Sequence, residues 1–335
     1  MNALFDPAIL FFVFGLFAGL VKSDLEIPAP IARFLSLYLL MALGLKGGFA
    51  LAESGLTMAV MASLIGAVLM ALIAPAIGYL ALRNRVSRYD AAAIAASYGS
   101  VSAVTFLTAA QYLEDFGMPA GGHMAVALVL MESPAILVAV LIANALRAAG
   151  TVSSTVAGGL AAAESLANRS AGQQIGKIIH ESLTNGSHML LIGALLVGIV
   201  SGDSGKAVMQ PFSIDLFKGM LAFFLLDMGL TVARNFGDAR RAPPLLMVYA
   251  VIAPLLHASI ALGLALMLRL AAADAALLMV LSASASYIVV PAVMRQAIPE
   301  ANPALYCGLS LGITFPLNLL VGIPLYSWAA RWLLG

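Results

Sequence analysis

Charge is what this chain has least of. Of its 335 residues only 10% are Asp, Glu, Lys or Arg, against about 25% in a soluble domain. Basic and acidic residues nearly cancel, at net +1, so neither a nucleic-acid partner nor a polybasic tail is indicated. A single cysteine, Cys307, excludes an internal disulfide and reads as a small hydrophobe packed in a helix. There is no H-E-x-x-H, nucleophile elbow, Walker A loop or dinucleotide fingerprint. That argues against an intramembrane hydrolase and an ATP-driven pump. His123, His180 and His188 show no metal-ligand spacing. The first apolar run has neither a basic flank nor an A-x-A cleavage site, so it reads as a spanning helix.

What fills the chain instead is apolar: 62% hydrophobic residues, with mean hydropathy +1.02. A membrane span needs roughly 17–25 mostly apolar residues. Ten such segments are expected, at 6–22, 30–50, 57–82, 90–112, 121–147, 176–201, 211–233, 243–270, 274–296 and 303–333. The fold class is therefore an all-α polytopic membrane protein. Residues 148–175 are rich in Ala, Ser and Gly and read as a linker between halves 1–147 and 176–335. The larger share of Lys and Arg, including Arg83, Arg85, Arg88, Arg147, Arg240 and Arg241, falls on one side of the predicted spans. By the positive-inside rule that side is the cytoplasm, with both termini outside and the linker inside.

The halves repeat one another. Asp90–Gln111 and Asp274–Arg295 align with Ser100 over Ser284 and Ser102 over Ser286. Gly19–Asp24 matches Gly198–Asp203, Leu40–Leu45 matches Leu225–Leu230, and Pro134 matches Pro316. Five spans is an odd number, so the second repeat enters the membrane inverted. A polar break duplicated at one depth marks a secondary transporter's binding site. If both helices break there, two half-helix N-termini converge, and their free N–H groups with serine hydroxyls hold a small anion without fixed cations. Close packing of small residues is the competing reading of the same stretches.

Among the intramembrane acids, Glu132 in M-E-S-P is the expected cation or proton site, since a carboxylate at that depth is costly and usually functional. Asp227 in L-L-D-M-G-L reads equally as functional or as a local cap, and its counterpart in the first half is Ala42. His257 and Asn318 read as satisfied contacts between helices.

Several of these stretches resemble the SbtA-type sodium-dependent bicarbonate transporters. They are G-L-K-G-G, Y-G-S-V-S-A-V-T, M-E-S-P-A-I, and the long run S-A-S-A-S-Y-I-V-V-P-A-V-M-R-Q-A-I-P-E-A-N-P-A. The resemblance spans both halves. It implies core (transport) and gate (scaffold) domains built from 5+5 inverted repeats. It also implies a homotrimer in the cell (inner) membrane, an elevator mechanism and Na+ as coupling ion, with no other cofactor. A PII-like regulator at the cytoplasmic face is implied for some members. The substrate set would be Gly99, Ser100, Ser102, Thr105, Ser284, Ala285, Ser286 and Tyr287, and the ion set Glu132, Ser102, Thr105 and Asp227. This chain departs from the family pattern at Tyr287, where an acid is usual, at Val289 and Val290, where small residues are, and at Glu132, where Asp is. A carrier of another small anion, coupled to protons or sodium, and a non-transporting sensor or assembly subunit are the alternatives.

Overall fold

A computed structural model of the chain describes residues 6–55, 57–152 and 186–335. Among them there is helix and no strand. In chain order the helices are α1 (Pro7–Leu20), α2 (Ala29–Ser54), α3 (Met58–Leu82), α4 (Arg88–Gly99), α5 (Ala103–Asp115) and α6 (Met124–Val152). Then come α7 (Gly186–Gln210), α8 (Phe217–Arg240), α9 (Pro244–Leu268), α10 (Ala272–Ala283), α11 (Val289–Ala297) and α12 (Pro303–Leu334), the last containing π-helical turns. Local chemistry sets the starts. The side chains of Asp6, Thr57, Ser87, Ser102 and Asn302 each accept a first-turn N–H, and Pro7 and Pro303 sit where no N–H is needed.

Among the described residues, seven helical stretches are long and apolar enough to cross a membrane, and Pro7–Leu20 and Ala272–Ala283 are shorter apolar helices. One of the seven, Gly186–Gly237, runs for 52 residues, about twice what one crossing needs. It comprises α7, a π-helical turn at Pro211–Asp215 and most of α8. The predicted fourth and ninth spans are each split in two, as α4 with α5 and α10 with α11. Helix α6 continues to Val152, five residues into the stretch read as linker. The rest of that stretch and the start of the predicted sixth span lie outside the described residues.

Helix α1 packs along α8, and α2 along α7. Glycines bring these backbones together. A β-carbon added at Gly48 would stand 2.8 Å from Gly198 Cα, one at Gly44 2.7 Å from Ala194 Cβ, and one at Gly229 2.7 Å from the Leu16 nitrogen. In lipid, where helices gain nothing by hiding apolar surface from one another, such close approach is the main source of adhesion. The remaining helices gather around the two broken ones: α3 against α4 and α6, and α9 and α12 against α10. Pro254 inside α9 leaves the Ala250 carbonyl without its helical donor. The Thr314 hydroxyl of α12 donates to that carbonyl at 2.8 Å, and its oxygen lies 2.7 Å from the buried Tyr98 hydroxyl of α4. The outer surface is apolar, with Phe11, Phe14 and Phe17 exposed on α1 and Trp328 stacked on Trp332 on α12.

The glycine contacts generate a stability test. Gly48→Val is expected to lower stability by about 1–3 kcal/mol, the usual range for overpacking. Gly263→Ala, where an added β-carbon meets nothing within 4 Å, is expected to leave the melting temperature in detergent unchanged or slightly raised. Equal melting temperatures for the parent and Gly48→Val would show that the contact does not hold the helices.

Candidate functional site

Two helix breaks meet inside the molecule. Helix α4 ends at Gly99, because Ser100 is extended and its N–H closes the last turn on the Ala96 carbonyl at 3.0 Å. Gly99 is required there, since a β-carbon would stand 2.6 Å from the ring of Pro75 in α3. Helix α5 restarts at Ala103 with Ser102 as its cap. The Ser102 hydroxyl accepts from the Thr105 N–H at 3.3 Å and from the Thr105 hydroxyl at 3.0 Å. In the other half α10 ends at Ala283, and Ser284 is likewise extended. Helix α11 restarts at Val289, and the Ser286 hydroxyl accepts the Val290 N–H at 3.3 Å.

The breaks are joined to each other. The Ser286 N–H donates to the Ser97 carbonyl at 2.8 Å, and the Ser102 N–H donates to the Ser284 hydroxyl at 2.9 Å. The Ser284 hydroxyl in turn donates to the Leu281 carbonyl at 2.8 Å. The Ala283 carbonyl, left open where α10 stops, accepts from the Asn318 amide at 2.7 Å, and Tyr326 donates to the Asn318 oxygen at 3.1 Å. Asn318 is thus the satisfied contact expected of it. His257, buried on α9, stands against the Ser282 backbone of α10.

The whole substrate set predicted from sequence, Gly99, Ser100, Ser102, Thr105, Ser284, Ala285, Ser286 and Tyr287, lies on these two breaks and the turns that flank them. Ser100, Ser102, Thr105, Ser284, Ala285 and Ser286 are all buried. Two hydroxyls at the breaks, Ser97 Oγ and Ser100 Oγ, are buried with no hydrogen-bond partner among the described residues, and Tyr287 Oη is buried beside Ser102. The Tyr287 ring is held edge-on against Phe315, with centroids 5.3 Å apart, and Phe315 stands edge-on to Phe12 of α1 at 5.6 Å. Each unpartnered hydroxyl is costly in a dry interior unless something occupies it. Two half-helix N-termini, those of α5 and α11, start at these joined breaks.

The ion set divides. Ser102 and Thr105 are at the breaks. Glu132 is buried on α6, and its carboxylate meets Nε2 of His188 on α7. Sequence reading missed His188, since its distance from Glu132 along the chain gave no sign of a pairing. Asp227 lies on α8, which packs mainly on α1 and also touches α12 and α2, and no described hydrogen bond or ion pair joins it to the breaks. Among the described residues, no group of three or more His, Cys, Asp or Glu is placed to hold a metal ion.

A cavity of about 500 Å³ opens between α2 and the bundle around the breaks. Leu43, Lys46 and Gly47 line one wall, and Phe106, Gln111 and Leu277 line the other. Lys46 crosses it to Glu114 at 2.9 Å, and Lys218 of α8 reaches Asp115 at 2.5 Å.

Residues 7–331 match the family model described as the Na+-dependent bicarbonate transporter superfamily. Among curated proteins, none is similar enough to the chain to count as a relative.

Two serines at the breaks separate scaffold from ligand. Ser284→Ala leaves the Ser102 N–H without an acceptor and is expected to lower stability by about 1–3 kcal/mol. Ser100→Ala removes a hydroxyl that bonds to nothing and is expected to leave the melting temperature unchanged while weakening anion binding. A large loss of stability in Ser100→Ala would show that this hydroxyl serves the fold.

Proposed function

The chain belongs to the Na+-dependent bicarbonate transporter superfamily, a transporter family and not an enzyme family, and from that premise we propose that it takes up bicarbonate coupled to Na+. The observation that carries this reading is the cluster of buried, unpartnered hydroxyls where the two breaks cross. A monovalent oxyanion presents acceptors to Ser97, Ser100, Tyr287 and the N–H groups that open α5 and α11. Roughly half a positive charge at each helix end stabilises it, and low local polarity makes that count for more than in water. Without a fixed cation in the breaks, release stays easy. Na+ is carried with the anion, and Ser102, Thr105 and Glu132 are its ligands in this reading.

Two units do the work, built as two inverted five-helix repeats crossing the membrane ten times in all. The packing partners support a two-fold relation between the halves. The first helix of one half lies on the second of the other, in both directions: α1 on α8, and α2 on α7. Those four helices form the scaffold. The others form a transport unit that carries both breaks past it, as an elevator. The cavity along α2 is the vestibule on the outer side, and the contacts of Lys46 with Glu114 and Lys218 with Asp115 hold the two units together in this position. The protein sits in the cell (inner) membrane as a homotrimer, with both termini outside and the linker at the cytoplasmic face, where a PII-like regulator has access.

One observation favours a second reading. Pairing of Glu132 with His188 makes a group able to hold and pass a proton, as a proton-coupled carrier requires. Uptake of labelled bicarbonate into proteoliposomes, with a Na+ gradient or a proton gradient alone, separates the two. The Na+ gradient is expected to drive uptake, and Glu132→Gln is expected to remove at least about 90% of it, as loss of a charged ligand in a dry site does, with the oligomer intact. Uptake driven by protons alone would transfer the assignment to the second reading, and no uptake under either gradient would reject transport of bicarbonate.

A further inference from the structure

Two aspartates that open the duplicated stretches make the same contact in opposite halves of the chain. Asp90, in the first turn of α4, accepts the Asn302 N–H on Oδ1 at 2.7 Å. Asp274, in the first turn of α10, accepts the Gly121 N–H on Oδ1 at 2.7 Å. Asn302 caps α12, and Gly121 lies just ahead of α6. Each aspartate therefore grips the turn that leads into the last long helix of the other half. The second oxygen is also engaged. Asp90 Oδ2 takes the Ser87 hydroxyl at 2.6 Å, and Asp274 Oδ2 faces His123 Nε2 at 3.5 Å. On the Asn302 side the gripped turn is itself held, because Arg147 of α6 makes a two-pronged ion pair with Glu300 and donates to the Ala297 carbonyl.

These bonds act at a distance. From Asp90 to Gly99, and from Asp274 to Ala283, is about 14 Å of helix at 1.5 Å per residue. Beyond those helix ends are Ser100 and Ser284, the two extended residues of the breaks. Both rods are buried almost throughout, and α4 is faced with Ala91, Ala92, Ala93, Ala95 and Ala96. On α4 the alanine run packs closely with few long side chains to interlock, whereas α10 buries Leu277, Leu278, Met279, Val280 and Leu281. At the far end of each rod a charge-assisted hydrogen bond adds a direct constraint on its depth along the axis.

We infer that Asp90 and Asp274 are positioning residues for the anion site, each fixing how deep its half-helix sits and so where its break meets the other. The transport readout of this inference rests on the bicarbonate reading, but its structural readout does not. The test uses Asp90→Ala, Asp274→Ala and the two Asn variants in full-length protein in lipid nanodiscs. Hydrogen–deuterium exchange is followed at 97–102 and 282–288, and bicarbonate uptake is followed in proteoliposomes. Each Ala variant is expected to speed exchange at the breaks about tenfold and to raise KM about tenfold with maximal rate per transporter little changed, the weight of one charge-assisted hydrogen bond. The Asn variants, whose amide oxygen accepts the same N–H, are expected to restore most of both. Parental exchange at the breaks in the Ala variants, or Asn variants no better than Ala, would overturn the inference. If an Ala variant does not assemble, a Ser variant, too short to span the same gap, replaces it with the same expectations. If the parent takes up no bicarbonate, the functional reading fails alone, and the exchange measurement still decides this one.

Discussion

A peptide group in hydrocarbon has no water to turn to, and the rest of this molecule is arranged around that constraint. Interrupting two buried helices strands carbonyls on one side of each gap and amides on the other. The chain answers by bringing the gaps face to face. The Ser286 amide takes the Ser97 carbonyl, the Ser102 amide takes Ser284, and Asn318 reaches in from α12 for the carbonyl of Ala283. The break in one half is thus satisfied largely by the break in the other. What the crossing leaves without a partner among the described residues is a pair of buried hydroxyls, Ser97 Oγ and Ser100 Oγ, both able to donate. Donors without a fixed charge are what the proposed small anion needs, since it has to be bound and then let go.

Proline and glycine act around this crossing as paired devices. Pro254 opens the Ala250 carbonyl, which then recruits Thr314 and, through it, Tyr98. Pro75 presses its ring where only a residue without a side chain can face it, at Gly99. Each proline that weakens its own helix therefore supplies a contact to the broken helix beside it. The aromatic series Tyr287, Phe315, Phe12 carries contact from the second break out to α1, so the site borders both groups of helices.

How much of this the sequence revealed follows from what kind of signal each feature leaves. The breaks were legible because Ser-x-Ser recurs at matching positions beside Gly99 and Pro291, and helix-breaking chemistry is local. Asp90 and Asp274 were visible only as the ends of an alignment. Their role depends on turns more than 150 residues away along the chain, and no periodicity records such a partner. The same holds for His188 against Glu132. The span that holds Glu132 ends at Arg147, where the sequence placed it, and helix α6 runs on to Val152 because Ala-rich sequence suits a surface helix and a linker alike.

The crossed pairing of α1 with α8 and α2 with α7 bears on how such a chain is made. It is synthesised from its N-terminus, so α1 and α2 exist for some time before the helices whose glycine faces they need. During that interval Gly15, Gly19, Gly44 and Gly48 face lipid or a chaperone, and the first half has no closed surface of its own. Long-range contacts of this kind are slow to form, and exposed unfinished interfaces invite misassembly. Neither half is then a viable intermediate to accumulate. The two halves must be delivered to one membrane location in quick succession, which a single polypeptide does and two separate genes would have to arrange.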